Sequence, residues 1–273
     1  MPVWICATCA VEHPDTEEPP AICRICTDER QYARPTGQRW TTLRDLQAAG
    51  HRCQVTEVEP NLHGITVEPA VGIGQRALLF RTPHGNLLWD PTGFVDDDVV
   101  QELGELGGVH VIAASHPHMY GVQVEWSLAF GGAPVWVAEA DRQHVQRQHD
   151  VIHYWSGVAE PLPGVTFVQC GGHFKGSAVA HWVGADGRGV LLAGDTISPT
   201  PDTRWVSFMR SYPNYIPLSA AAVRKVVQAV EPYDYDRIYG NFGNYVGANA
   251  KAVVRRSMER YISWIRGDFD ADT

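Results

Sequence analysis

Ser115-His116-Pro117-His118-Met119-Tyr120-Gly121 closes an apolar run over residues 109–114, and its reading decides the fold. Downstream stand Gly171-Gly172-His173-Phe174-Lys175-Gly176-Ser177 and Leu191-Leu192-Ala193-Gly194-Asp195-Thr196. Pro117 biases His116 toward extended backbone, where residues i and i+2 project to one side. His116 and His118 are therefore expected to approach one ion together. The glycines before His173 let its loop pass close to other elements. Asp195 follows an apolar strand through Gly194, which places a carboxylate at a sheet edge. Three histidines and an aspartate in this order are expected to meet on one divalent ion. Three neutral imidazoles leave such an ion much of its charge, so that it acidifies a bound water toward neutrality. The remaining histidines from His51 onward read as surface or satisfied core residues.

A second metal signature lies at the start of the chain. Cys6-Ala7-Thr8-Cys9 and Cys23-Arg24-Ile25-Cys26 are two C-x-x-C knuckles around a polar, proline-rich insert. Two such pairs complete a tetrahedral thiolate shell, predicting that Cys6, Cys9, Cys23 and Cys26 hold a structural zinc with no open position. Residues 1–35 are too short to bury a core of their own, so the metal is expected to supply folding energy. Residues 1–52 hold six Arg and no Lys against seven Asp or Glu. That balance shows no net basic face, so docking onto the main domain or a protein partner is the expected role.

The chain has 273 residues, 44% apolar and 19% charged, with a formal net charge of −9. This describes an ordinary globular enzyme and disfavours nucleic acid or an anionic membrane as partner. No stretch reaches the ~20 apolar residues of a membrane span. No secretory signal is evident and paired cysteines suit a reducing compartment, so the expected location is cytoplasmic. A small-molecule substrate is the expected partner, with the oligomeric state open.

Residues 40–49 read as a helix. Strands are expected over 53–58, 62–68, 76–82 and 86–89, the last two forming a hairpin, then a helix over 96–106. Further strands are expected at 109–114, 134–138, 165–168, 178–183, 190–192 and 237–239, with helices at 122–130, 140–148, 220–230 and 248–265. The expected division is a four-cysteine, zinc-ribbon-like module over 1–35, a linker helix and first strand over 36–58, and the main domain over 59–273.

With the motifs in this order, residues 60–245 resemble the metallo-β-lactamase-fold hydrolases. That family's pattern is an H-x-H-x-D-H loop, a Gly-His loop, a Gly-Asp-Thr turn and a late Gly-His. The resemblance implies an α/β fold, a four-layer αββα sandwich with the site at one edge of two sheets. His116, His118 and His173 match the first-site ligands, and Asp195 matches the carboxylate that bridges two metals in dinuclear members. Asp90-Pro91-Thr92-Gly93 resembles the family's early Asp-x-Gly with one residue inserted. The departures fall on one site: Tyr120, Gly121 and Asn241 stand where the second metal's Asp, His and His are expected, which predicts a single ion.

The leading expectation is a mononuclear hydrolase of a small ester, thioester, amide or lactone, in which metal-bound hydroxide attacks a carbonyl. The active-site ion is zinc or, alternatively, iron. Asp195 is a fourth ligand or general base and Tyr120 a hydrogen-bond donor to an oxyanion, or else a wall of the pocket. Lys175, Arg210, Tyr212 and Asn241 are candidate substrate-binding residues. The alternatives are a persulfide-dioxygenase-type iron enzyme using His116, His173 and Asp195, and a non-catalytic member that binds a metal or ligand.

Overall fold

A computed structural model describes residues 1–273, which divide into two compact units, Met1–Trp155 and Ser156–Thr273. Each unit has its own sheet and core.

The first unit opens with strands β1 (Val3–Cys6), β2 (Glu12–Asp15) and β3 (Trp40–Thr41), which pair antiparallel in the order β2-β1-β3. The helix expected over 40–49 is therefore shorter. It is α1 (Leu43–Ala48), started by Thr42, whose side chain accepts from Asp45 N. The sheet of the four-cysteine module accordingly extends to Thr41 rather than stopping near residue 35. A seven-stranded sheet follows, built from β4 (Arg52–Glu59), β5 (Leu62–Glu68), β6 (Ala77–Thr82), β7 (Gly85–Trp89), β8 (Val111–Ala113), β9 (Val135–Ala138) and β10 (Ile152–Trp155). The strands lie in chain order. β4 to β7 form an antiparallel meander, and β7 to β10 run parallel. Parallel neighbours need crossovers, supplied in part by α2 (Asp97–Glu105) and α3 (Gln123–Ala129). Because β7 and β8 are parallel, the Asp90–Gly93 and Ser115–His118 segments leave the same edge. The cysteines share one core with Ile65, Val67, Phe94, Tyr120 and Trp126, so the module has no separate interior.

The second unit's six-stranded sheet has the order β11-β12-β13-β14-β19-β20. These are β11 (Val158–Leu162), β12 (Val165–Gln169), β13 (Ala178–Val183), β14 (Gly189–Ala193), β19 (Arg237–Tyr239) and β20 (Tyr245–Val246). Between β14 and β19 lie the two-stranded ribbons β15 (Ser198–Pro199) with β16 (Val206–Ser207), and β17 (Met209–Ser211) with β18 (Ile216–Pro217), followed by α4 (Ala220–Val230). Helix α5 (Ala250–Ile265) follows β20. α4 buries Val223, Val226, Val227 and Val230, the i, i+3, i+4, i+7 face of an amphipathic helix. β12 and β14 each pair antiparallel with β13, and β19 pairs parallel with β14. Their C-terminal ends therefore share one edge, which gathers the segments that carry His173, Asp195 and Asn241.

Residues 140–148 do not form the expected α-helix; Glu139–His144 is a 3-10 segment. No helix is long and apolar enough to cross a membrane.

Candidate metal centres

In the first unit, Cys6, Cys9, Cys23 and Cys26 are buried with their sulfurs in one group. Cys6 Sγ lies 3.6 Å from Cys26 Sγ, and Cys9 Sγ 3.7 Å from Cys23 Sγ. A tetrahedron of Zn–S bonds near 2.3 Å has edges of about 3.8 Å, so the spacing fits a shared ion. Hydrogen bonds from Cys26, Cys6 and Cys9 drive the Cys23 thiol far down, while its partnership with Cys23 drives Cys26 up. Four thiolates cannot coexist at this distance without a cation. His13 is buried edge-on against Trp40, 4.5 Å between ring centroids. The other two cysteines differ. Burial lifts the Cys170 thiol to about 12 and pushes Cys53 higher still, so both are inert at neutral pH.

The His116 and His118 pair stands where β8 ends. Asp90 sits at φ 58 and is fully buried; its carboxylate accepts from Ser115 N at 2.6 Å, while its own N–H donates to Ala113 O. This grip sets the start of the His loop. His116 is extended, as its proline predicts, but Pro117–Met119 then turns as a 3-10 helix with the proline at its first position. His118 is thus brought round by a turn, not by strand alternation, and the two rings lie 5.2 Å apart between centroids. Ser115 Oγ meets His116 Nδ1 at 2.9 Å, which fixes that ring's orientation as outer-shell partners of metal ligands do.

In the second unit, Gly172 lies at φ 86, and a Cβ there would come within 2.8 Å of Val226 and 3.0 Å of Thr196 Oγ1. Only glycine fits. Thr196 Oγ1 donates to Gly171 O at 2.6 Å, tying the Gly-Asp-Thr turn to the Gly-Gly-His loop. His173 is fully buried, with Nδ1 3.0 Å from Met209 O and Nε2 3.6 Å from Asp195 Oδ2. That last distance is too long for a hydrogen bond, and it suits two ligands about 2.1 Å from one ion. Donor types and spacing in both units therefore fit a divalent metal of the zinc class.

The remaining expected residues separate by environment. Tyr120 is 2% exposed within the first unit's core. Burial, then the charge of Asp141, holds its phenol well above the usual range; of the two expected roles, this favours a packed wall residue. Tyr212 hydroxyl reaches the Asp195 carbonyl at 3.2 Å and the Ser207 carbonyl at 3.1 Å. The hydroxyl thus braces the backbone at Asp195. Lys175 is exposed, Arg210 half-buried in β17 and Asn241 buried just past β19. Gly121, at φ 50, is packed so that a Cβ would fall 2.2 Å from Pro91 O and 2.5 Å from Thr92 O, leaving no room for the family's histidine. Sequence reading missed Ser115, Thr196 and the Met209 carbonyl as supports; the first two stand inside the quoted motifs, while a backbone carbonyl leaves no residue-type signal.

The fold is that of the metallo-β-lactamases. The DIM-1 metallo-β-lactamase superposes with a TM-score of 0.58 at 12% identity, over 78% of this chain and 98% of its own. FIM-1 from Pseudomonas aeruginosa, solved in a mono-zinc form, gives 0.54 at 16% identity, over 76% and 95%. At these identities the likeness establishes the fold. No family model matches the chain. Within that fold the chain belongs to the family of the uncharacterized protein YmaE of Bacillus subtilis (strain 168), with which it is 44% identical over 271 residues, 98% of each.

Proposed function

We propose that this chain is a metal-dependent hydrolase of a small ester, thioester, amide or lactone, working with one divalent ion on His116, His118, His173 and Asp195. The first unit offers the His116 and His118 imidazoles, and the second an imidazole and a carboxylate in His173 and Asp195. The observation that carries the reading is the His173–Asp195 pair, an imidazole and a carboxylate 3.6 Å apart on separate backbone anchors. A zinc-class ion there supplies polarisation of a carbonyl and a water acidified toward neutrality. The chain's own part is positional. Met209 O fixes the His173 ring, Ser115 fixes His116, and Asp195 presents a carboxylate able to ligate or to accept a proton from water.

The single ion is supported by what stands at the second site. Gly121 has no side chain and no space for one, and the Tyr120 phenol stays protonated in the core. The mono-zinc form of FIM-1 is an instance of this fold with one ion.

Metal analysis with a panel of esters, thioesters, amides and lactones tests the reading. Zinc-loaded protein is expected to turn over at least one member, and His173→Ala to lose that turnover together with one equivalent of metal. Bound iron with substrate-dependent oxygen uptake would overturn it in favour of oxidation, and a metal-loaded protein inert on the whole panel would favour binding alone.

A further inference from the structure

The four-cysteine module is wedged against the loop that follows His118. Ala10, at φ 65 in the turn after Cys9, lies so close to Gly72 and Gly93 that a Cβ on either would come within 2.6 and 2.2 Å of its own. Two residues on, Glu12 is 2% exposed and spends three polar atoms on the far segment. Its N–H donates to Gly121 O at 2.9 Å, its Oε1 accepts from Val124 N at 2.6 Å, and its Oε2 accepts from Arg147 Nη1 at 2.7 Å. Arg147 also reaches Glu125. Helix α3 has no cap of its own, since Val122 makes no side-chain bond to it. Glu12, 112 positions from Val124, provides that cap. Gly121 is thus gripped on one side by Glu12 and on the other by Pro91 and Thr92. Just before it, the turn closes through Met119 N to His116 O and Tyr120 N to Pro117 O.

We infer that Glu12 is the positioning residue of the His116–His118 loop, and that the four-cysteine site exists to hold Glu12 there. The brace acts at Gly121, a position where the resemblance implies a second-metal ligand. A thiolate-bound zinc is a closed, permanent fixture, so it steadies the loop without an exchangeable ion beside the substrate. The link to metal affinity rests on the single-ion reading above.

The test uses the full chain with zinc retained on the cysteines and cobalt titrated into the His/Asp site, whose spectrum lacks thiolate charge-transfer bands. Glu12→Ala is expected to weaken cobalt binding about tenfold, the lower end of the effect of losing an outer-shell partner. Cysteine-bound zinc should stay at one equivalent. Glu12→Gln, which keeps an acceptor for Val124 N, should restore most of the affinity. Backbone hydrogen exchange at residues 119–124 is expected to quicken in Glu12→Ala and to recover in Glu12→Gln. Unchanged exchange and unchanged affinity in Glu12→Ala would overturn the inference. If Glu12→Ala does not fold, Glu12→Asp, which shortens the reach by one methylene, is expected to show the same exchange signature to a smaller degree. Exchange is read without metal in the His/Asp site, so a chain that binds no cobalt there would count against the hydrolase reading, while exchange alone still decides the brace.

Discussion

The two ligand pairs occupy similar places, each at the C-terminal edge of a sheet, yet they are braced differently. His173 and Asp195 are supported by their own unit's neighbouring loops: the Met209 carbonyl, the Thr196 hydroxyl on Gly171 and the Tyr212 hydroxyl on Asp195. Around His116 and His118, Asp90 next door accepts from Ser115 N, and Glu12, more than 100 residues earlier in the chain, accepts from Val124 N. One pair is held by hydrogen bonds within its own unit, and the other is, on the inference above, held by a brace from the four-cysteine module. The His116–His118 pair should therefore fail when zinc is withdrawn from the cysteines, and the His173–Asp195 pair should not.

Cys23→Ser gives the largest contrast. It is expected to lose one equivalent of zinc and the folding energy that the ion supplies to the segment. Residues 1–41 should become protease-sensitive and exchange at 116–124 should quicken, with β12 to β14 unchanged. Intact zinc and unaltered proteolysis would remove the basis of the comparison.

Gly121→Ala comes next. A methyl group 2.2 Å from Pro91 O, on backbone at φ 50, forces the loop apart. Urea unfolding should show a loss of about 3 kcal/mol or more. The same clash explains why restoring the family's histidine at this position is not expected to create a second metal site.

Glu12→Gln sharpens the comparison through pH. Burial lifts the Glu12 carboxyl to about 7, although Val124 N–H and Arg147 pull it back and Glu125 adds to the rise. An unfolded glutamate titrates near ~4.3. Between about pH 4.5 and 7 the folded chain therefore holds a proton that the unfolded chain has released, and stability falls as pH rises through that window. The glutamine variant should lose this slope, of order ~1 kcal/mol per pH unit. Identical pH profiles would mean that Glu12 is not the titrating group.

Tyr212→Phe is the smallest change, confined to the His173–Asp195 pair. Removing the hydroxyl from the Asp195 and Ser207 carbonyls should cost about 1 kcal/mol. Metal affinity is expected to fall a few-fold while exchange at 116–124 stays as in the parent chain.

Much of this was legible in the sequence because the motifs are local. H-x-H after an apolar strand, Gly-Gly-His, Gly-Asp-Thr and two C-x-x-C knuckles each carry their reason within a few residues. The amphipathic α4 emerged with its bounds intact for the same reason. What escaped depends on contacts across the chain. Glu12 carries no signal among the acidic residues around it, because its partners Gly121, Val124 and Arg147 lie far away in sequence. His118 was misread in geometry: Pro117 constrains the residue before it, but it also opens a 3-10 turn that the alternation argument does not contain. β10 and β11 escaped because Ile152–Trp155 and Val158–Leu162 lie at sheet edges, where half-exposed residues blur the apolar pattern.

The central claim is that the chain holds two ions of different kind, one closed within four thiolates and one on His116, His118, His173 and Asp195. Anomalous scattering at the metal edges of the as-isolated crystalline protein tests it most directly. The expected result is one peak among Cys6, Cys9, Cys23 and Cys26 and one peak among the three histidines and Asp195. Two strong peaks a few Å apart at the histidines, or none there in metal-supplemented protein, would contradict it.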